Sequence, residues 1–335
     1  MILPDSVLPR HFPARFTQEG YPMKCLIIDE VSDRIKKSFT EYGMECAYQF
    51  LPTKQELIDL IGPYDILVMR VDPPIDKEII DAGKNLKIIC VGAVGTNHVD
   101  LKYCEQKGIL VASAPGANYN SVAELTFSKM LDLSRQVMAA NDEVKNKKIW
   151  NKYHYLGREL RGKVLGIVGF GKIGRRVGEL AHAFGMTTLA YDPYVTKEQG
   201  AELGTEMLSM EELLSRSDYI TIHVPLTPET KDLISFPQLE YMRDGAMVLN
   251  MGRGGILNEE AMYQGLKSGK LGGVAVDVMA DELGGLTDNS GFDSPLFELD
   301  NFIVSPHIGG NTVDAQDIIG DILVGKVVEF FKLGK

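Results

Sequence analysis

The sequence predicts an α/β protein built from two doubly wound parallel-sheet domains, and three observations predict it. Short β-rich runs alternate with amphipathic stretches of helical spacing, and the alternation occurs twice. A long helical stretch separates the two series. At 335 residues the chain is longer than one ordinary core fills, so two domains are expected. Strands separated by helices indicate parallel sheets covered on both faces.

The first series runs from Lys24 to about Pro115, with β-rich runs "KCLIIDE", "CAYQFL", "DILVMR", "LKIICVG" and "ILVASAP". Between them, "VSDRIKKSFTEYG" and "TKQELIDLIG" place apolar residues at helical spacing. A single helix is predicted over residues 120–146, with Asn120 or Ser121 as cap and Glu124 as the acidic partner of a capping box. The second series has six predicted strands: 163–168, 187–192, 219–224, 246–250, 272–278 and 301–305. The last stretch, "VDAQDIIGDILVGKVVEFFKLG", is amphipathic and is expected to return to the first domain. The expected division is residues 1–118 with 306–335 against 119–305, so the first domain is discontinuous.

Composition narrows the function. Hydrophobic residues make up 44% and charged residues 24%, and the net charge is −11 with no basic run longer than "KNKK". Nucleic acid and anionic membranes demand a positive surface, so neither is an expected partner. No apolar run approaches the roughly 20 residues of a membrane span. Prolines at 4, 9 and 13 interrupt any signal sequence, and a transit peptide is a weak alternative for this irregular arm. Cys25, Cys46, Cys90 and Cys104 form no C-x-x-C pair and read as reduced thiols of a cytoplasmic protein. No metal site is expected.

The second series opens on "VGFGKIGRRVG", in which Gly169, Gly171 and Gly174 follow a predicted strand and open a predicted helix. The spacing alone is weak evidence, and the strand–turn–helix context gives it value. Gly169 would allow the tight turn, Gly171 would admit a pyrophosphate, and Gly174 would let helix and sheet approach. Unpaired amides and the positive end of the helix dipole would then face the phosphates. Asp192 ends the next strand, where a carboxylate accepts from ribose hydroxyls and repels a 2′-phosphate. NAD is therefore the expected cofactor rather than NADP. A plain glycine turn with a solvent-facing aspartate is the duller reading.

In an open parallel sheet, ligands bind beyond the carboxyl ends of the strands. At those ends lie Pro225, Arg253, Asp277 with Glu282, and His307. Taken singly, each has a bland interpretation: a surface ion pair, a solvated acid, a core histidine. Together beside a nicotinamide site they suit reversible reduction of a 2-oxo acid. Arg253 could hold carboxylate and carbonyl oxygens with its planar fork. His307 could exchange the proton, and Glu282 could keep the ring protonated. The other five histidines, at 11, 98, 154, 182 and 223, lack this setting.

These motifs, from "LKIICVGAVGTNHVDL" and "APGANYNSVAE" through "AYDPY", "HVPLTPET", "NMGRGG" and "DVMADE" to "SPHIGGNT", occur in one order. In that ordered set the sequence resembles the D-isomer-specific 2-hydroxyacid dehydrogenases, from about Lys24 to the C-terminus. The resemblance implies a Rossmann NAD-binding domain inserted in a smaller flavodoxin-like substrate domain, and a homodimer formed through the nucleotide domain. It implies Arg253, Glu282 and His307 as the catalytic trio, with His307 as proton donor. It implies that the backbone of Val94 and Gly95 holds the substrate carboxylate, with Arg70 and Asn118 facing the substrate. Lys172 and Ile173 would line the pyrophosphate, and Pro225, Thr230, Met251 and Asp277 would also lie at the cofactor.

The sequence departs from the family pattern in places. Met279 replaces the usual phenylalanine of "DVFxxEP", no proline follows Glu282, and the loop before His307 looks long. "NMGRGG" replaces the commoner "NxARGG", a small-for-small change. Formate is disfavoured because formate dehydrogenases of the superfamily carry glutamine where this chain has Glu282. The chain ends soon after its last predicted helix, so the regulatory domain of some phosphoglycerate enzymes is not expected. The alternative to an enzyme is a dinucleotide-sensing, corepressor-like protein on the same fold. Arg70 would suit a distal phosphate or equally any polar substrate tail, and a small aliphatic oxo acid or hydroxypyruvate is as good a candidate as phosphoglycerate.

Overall fold

The computed structural model describes residues 22–93, 95–280 and 292–333. The chain divides into two units, one drawn from the chain up to Ala117 together with Val313 onward, the other Asn118–Thr312.

In the first unit, β1 (Lys24–Ile27), α1 (Asp33–Glu41), β2 (Glu45–Tyr48), α2 (Lys54–Leu60), β3 (Ile66–Met69), α3 (Lys77–Ala82), β4 (Ile88–Val91), α4 (Leu101–Lys107) and β5 (Leu110–Ala112) alternate strictly. The five strands are parallel in the order β2-β1-β3-β4-β5, the flavodoxin-like arrangement. Every residue of β3 and β4 is buried, as expected for strands covered on both faces. Local signals set the helix starts: Thr53 and Glu56 form a capping box on α2, and Ser32 accepts from the Arg34 amide at α1.

The second unit carries α5 (Tyr119–Arg135), α6 (Val137–Lys145), β6 (Val164–Val168), α7 (Lys172–Ala183), β7 (Thr187–Tyr191), α8 (Lys197–Glu202), β8 (Glu206–Met207) and α9 (Met210–Arg216). It continues with β9 (Tyr219–Ile222), α10 (Phe236–Tyr241), β10 (Ala246–Asn250), α11 (Glu259–Lys267), β11 (Leu271–Val276) and β12 (Phe302–Val304). Its seven parallel strands run β12-β11-β10-β9-β6-β7-β8, a Rossmann order with its switch point between β6 and β9. The sheet thus has seven strands where six are predicted. The extra one, β8, is two residues at the edge, paired with β7 and too short to carry a periodic signal.

The last helix, α12 (Val313–Phe331), belongs to the first unit. Ile319, Leu323, Val327 and Phe331 share one core with Ile35 and Phe39 of α1. At the rim Ser32 Oγ donates to Asp317 at 2.6 Å and Arg34 Nη1 to Asp321 at 2.7 Å. The Arg34 pairs are exposed and contribute little, so the apolar seam holds the helix.

Three further expectations are corrected. The stretch 120–146 forms two helices, broken where Gln136 adopts a left-handed conformation at φ 53°. Asp132 supports the break, because its carbonyl accepts from Gln136 N and its carboxylate from Met138 N. The first of these helices begins at Tyr119 with Asn118 in the cap position and no side-chain cap bond, while Asn120 instead donates to Glu124 within the helix. The second boundary falls between Thr312 and Val313 rather than before Pro306. Residues 305–312 stay with the second unit because they bond to Asp277 and, through Thr312, to Ser121.

Phe39 is fully buried in the seam between α1 and α12. Phe39→Ala should cost about 3–5 kcal/mol, seen as a lower urea midpoint for the first unit by circular dichroism. An unchanged midpoint would mean that the seam does not carry the stability assigned to it.

Candidate active site

The glycine turn after β6 has a physical reason at each of its positions. Gly169 sits at φ 91°, and a Cβ there would stand 2.9 Å from the His223 carbonyl oxygen. A Cβ on Gly174 would collide with the Gly169 carbonyl, so α7 packs directly on the turn. At Gly171 nothing lies within 4 Å of a Cβ position, and this residue caps α7 without a side-chain bond. The first amides of that twelve-residue helix therefore face open space, with Gly171 and Lys172 exposed and Ile173 half-buried. Asp192, just beyond β7, accepts from Phe170 N at 2.8 Å and from Tyr194 N at 2.9 Å, one bond on each oxygen. Each oxygen keeps acceptor capacity for a ribose hydroxyl. The residues fit a dinucleotide.

The remaining strand ends continue the same edge. After β9, Thr230 Oγ1 donates to the Pro225 carbonyl at 2.6 Å and accepts from Thr227 N at 2.7 Å, which closes the Pro225–Thr230 turn. His223 also stands at this strand end, so the setting assigned to His307 alone is shared. Burial pushes the His223 ring down to about 3, which leaves it neutral and unsuited to donate a proton near neutral pH. Its Nε2 lies 2.9 Å from Thr221 Oγ1. After β10, Asn250 closes the next turn, donating to the Arg253 carbonyl at 2.9 Å and accepting from Gly252 N at 3.0 Å. Arg253 is half-buried and gives one N–H to the Gly252 carbonyl, leaving the rest of its fork for other acceptors. Met251 is buried, its amide bonded to the Ile222 carbonyl. A Cβ on Gly254 would collide with the Met279 carbonyl, so the Arg253 turn lies against the chain that follows β11.

Asp277, at the end of β11, organises the His307 turn. Its carboxylate accepts from Ser305 Oγ, from Ile308 N at 3.0 Å and from Gly309 N at 2.7 Å. Its main-chain carbonyl accepts from His307 N at 2.9 Å. Three successive amides thus converge on one residue, and His307, exposed, is held at φ 54°. Beneath lies Lys129 of α5, only 4% exposed. It shares a helix face with Val122, which lies near Gly309, and Leu133, which lies near Gly273 of β11. Burial pushes the lysine down to about 8, against the opposing attraction of Asp277 and Asp132.

Residues 127–309 match the family described as D-isomer specific 2-hydroxyacid dehydrogenase, NAD binding domain. The chain belongs to this family. Its cofactor is NAD. Among relatives, the chain is 38% identical over 310 residues to a D-3-phosphoglycerate dehydrogenase of Archaeoglobus fulgidus, covering 92% of this chain and 58% of that protein. It is 40% identical over 281 residues to a hydroxypyruvate reductase of Thermotoga maritima, covering 84% and 89%. A D-lactate dehydrogenase of Aquifex aeolicus, solved with NAD and lactic acid, superposes with a TM-score of 0.76 at 30% identity, covering 92% and 95%. The chain spans less than two thirds of the length of the phosphoglycerate dehydrogenases it matches.

Of the expected family positions, the second unit holds the glycine turn, Asp192, Pro225, Thr230, Met251, Arg253, Asp277 and His307 on one sheet edge. Asn118 lies in the same unit at the start of α5, close against Gly310. Arg70 and Gly95 lie in the first unit, after β3 and β4. The Arg70 amide bonds the buried Asp29, whose carboxyl is raised by burial against the pull of the Arg70 charge. Glu282 and Val94 lie outside the described residues. Three contributors escape sequence reading: Asn250, Ser305 and Lys129. Asn250 could have been noticed as a polar residue ending an apolar strand, and Lys129 as a lysine on an apolar helix face. Among the described residues no cluster of acidic, cysteine and histidine side chains could hold a metal, and no helix is long and apolar enough to cross a membrane.

The lysine has a measurable consequence. Folded, it loses its proton above about pH 8, whereas an ordinary lysine keeps it to about 10.5. In that window the unfolded state binds more protons, so stability rises with pH by roughly 3 kcal/mol at most, and below pH 8 the penalty is fully present. Urea titrations from pH 7 to 10.5 should show this rise in the native protein and its loss in Lys129→Met. Parallel profiles would place the ammonium in water.

Proposed function

We propose that the chain is a cytoplasmic, NAD-dependent oxidoreductase that interconverts a D-2-hydroxy acid and its 2-oxo acid. One observation carries the reading: Arg253 and His307 follow strands on either side of β11, with Asp277 between them, on the edge that also bears the glycine turn. Gly171, Lys172, Ile173 and Asp192 hold the dinucleotide, with Pro225, Thr230, Met251 and Asp277 alongside. NAD, when bound, supplies or accepts the hydride at its nicotinamide ring.

The arginine fork binds the substrate carboxylate and carbonyl oxygen, fixing the carbonyl carbon and countering the charge that grows on its oxygen. His307 gives its proton to that oxygen during reduction and takes it back during oxidation. Glu282 completes the proposed catalytic trio as the acidic partner of the imidazole. Asn118 is the further substrate residue proposed in the second unit, and Arg70, Val94 and Gly95 are those proposed in the first. The panel of oxo acids is hydroxypyruvate, 3-phosphohydroxypyruvate, pyruvate, glyoxylate, 2-oxoisocaproate and 2-oxoglutarate; the first two are tried first because relatives are named hydroxypyruvate reductase and D-3-phosphoglycerate dehydrogenase.

NADH oxidation against this panel tests the reading, with NADPH as control. His307→Gln should lower kcat by about 10²–10⁴ while NADH affinity stays unchanged. Arg253→Ala should raise KM for the oxo acid as well as lower kcat. Turnover that survives in the His307 variant would remove the proton role. Silence across the panel with NADH bound would favour a sensor.

A second copy of the chain is the proposed partner. Val137, Met138, Ile149, Trp150, Tyr153 and Leu156 are exposed on α6 and the segment after it, with Trp150 at 88% and Leu156 at 94%. Six exposed apolar residues between positions 137 and 156 are more than scattered surface apolars would supply. Light scattering should give a dimer that Trp150→Glu converts to monomer, and a monomeric native protein would end this reading.

A further inference from the structure

We propose that Cys46 and Cys25 form an oxidation-sensitive thiol pair, in which a hydroperoxide oxidises the Cys46 sulfur and Cys25 then closes it to a disulfide. The inference stands apart from the proposed dehydrogenase activity. Its basis is the pairing of β1 with β2, which sets Cys25 and Cys46 directly in register on neighbouring parallel strands. Register partners project from the same face of a sheet. Neighbouring strands lie about 4.7–4.9 Å apart, inside the roughly 4.4–6.8 Å window of Cα separations that a disulfide spans. Each sulfur acts on the other: Cys46 and burial hold the Cys25 thiol well above the ordinary range, and Cys25 draws Cys46 down.

The two sulfurs differ in the ways such a pair requires. Cys25 is fully buried, whereas Cys46 is half-buried on an edge strand that, among the described residues, pairs with β1 alone. Reagents can therefore reach Cys46 first, and β2 has freedom to adjust as the bond forms. Cys46 is pulled down to about 7 by the Cys25 hydrogen bond, then by the Thr40 hydroxyl and the Lys36 charge of α1, against the effect of burial. The remaining cysteines provide internal controls. Burial pushes Cys90 up to about 12 and Cys104 up to about 11. A thiolate, not a thiol, attacks peroxide, so these two are inert where Cys46 is reactive.

The chemistry balances. The Cys46 thiolate attacks one peroxide oxygen, the O–O bond breaks, and the departing alkoxide or hydroxide takes up a proton. Cys46 is left as a sulfenic acid. The Cys25 sulfur then attacks the Cys46 sulfur, the S–O bond breaks, and hydroxide leaves as water with the Cys25 proton. Two thiols and one hydroperoxide become a disulfide, an alcohol (or water) and a water, with two electrons passing from sulfur to oxygen. The new bond closes the β1–α1–β2 crossover on itself and ties the edge strand to its neighbour.

The full-length protein should be treated with stoichiometric hydrogen peroxide at pH 7, blocked with N-ethylmaleimide and digested with trypsin without reductant. Mass spectrometry should find residues 25–34 linked to residues 38–54, two hydrogens lighter than the sum and separated by a thiol reductant. In Cys25→Ala, dimedone should instead trap a sulfenic acid on Cys46. In the untreated native protein, iodoacetamide should label Cys46 at least about 100-fold faster than Cys104, a readout that needs no variant to fold. Equal labelling rates, a link between another pair of cysteines, or over-oxidation of Cys46 with Cys25 left free would each overturn the proposal.

Discussion

Parallel alignment of the strands is the constraint from which the rest follows. A parallel ladder cannot be closed by a hairpin, so each strand returns through a crossover and all carboxyl ends lie on one edge. In the second unit that edge collects the glycine turn after β6, Asp192 after β7, Arg253 after β10 and His307 after β12, although more than a hundred residues separate the first from the last. Strand order then decides who neighbours whom. Because β11 lies between β10 and β12, Asp277 is delivered between arginine and histidine without any local sequence signal for that adjacency.

Within that frame the His307 turn is held by hydrogen bonds rather than by an ion pair. Asp277 accepts three donors on its carboxylate and one on its carbonyl. Hydrogen bonds to a charged acceptor contribute about 1.5–3 kcal/mol each. The nearby Lys129 could have been the principal partner, but its downward shift shows that burial outweighs the attraction of Asp277 and Asp132. The amides and Ser305 therefore carry the load, and the lysine is tolerated at a cost.

Much of this was legible in the sequence. Apolar runs in parallel strands are nearly continuous, so eleven of the strands could be read from composition, and β10 matches its predicted bounds residue for residue. The glycine turn was readable because three glycines, a strand, a helix and an acid fall in register. What escaped reading depends on which partners the folded chain supplies rather than on residue type. β8 is two residues long and exists because β7 offers it an edge. The break at Gln136 involves neither glycine nor proline and depends on where the Asp132 side chain turns. His223 looks much like His307 in sequence and differs by its burial, which only the packed sheet creates.

The backbone at His307 has an evolutionary consequence. The turn is shaped by main-chain amides and by Asp277, and among side chains other than glycine a left-handed conformation is best accommodated by asparagine, aspartate and histidine. Asparagine and aspartate are each one base away from histidine in the genetic code. On the role proposed for the ring, a lineage could exchange it for asparagine, which relays no proton, and inherit the loop unaltered, with the glycine turn on another strand untouched. On that proposal, loss of turnover is a small step and loss of binding a large one.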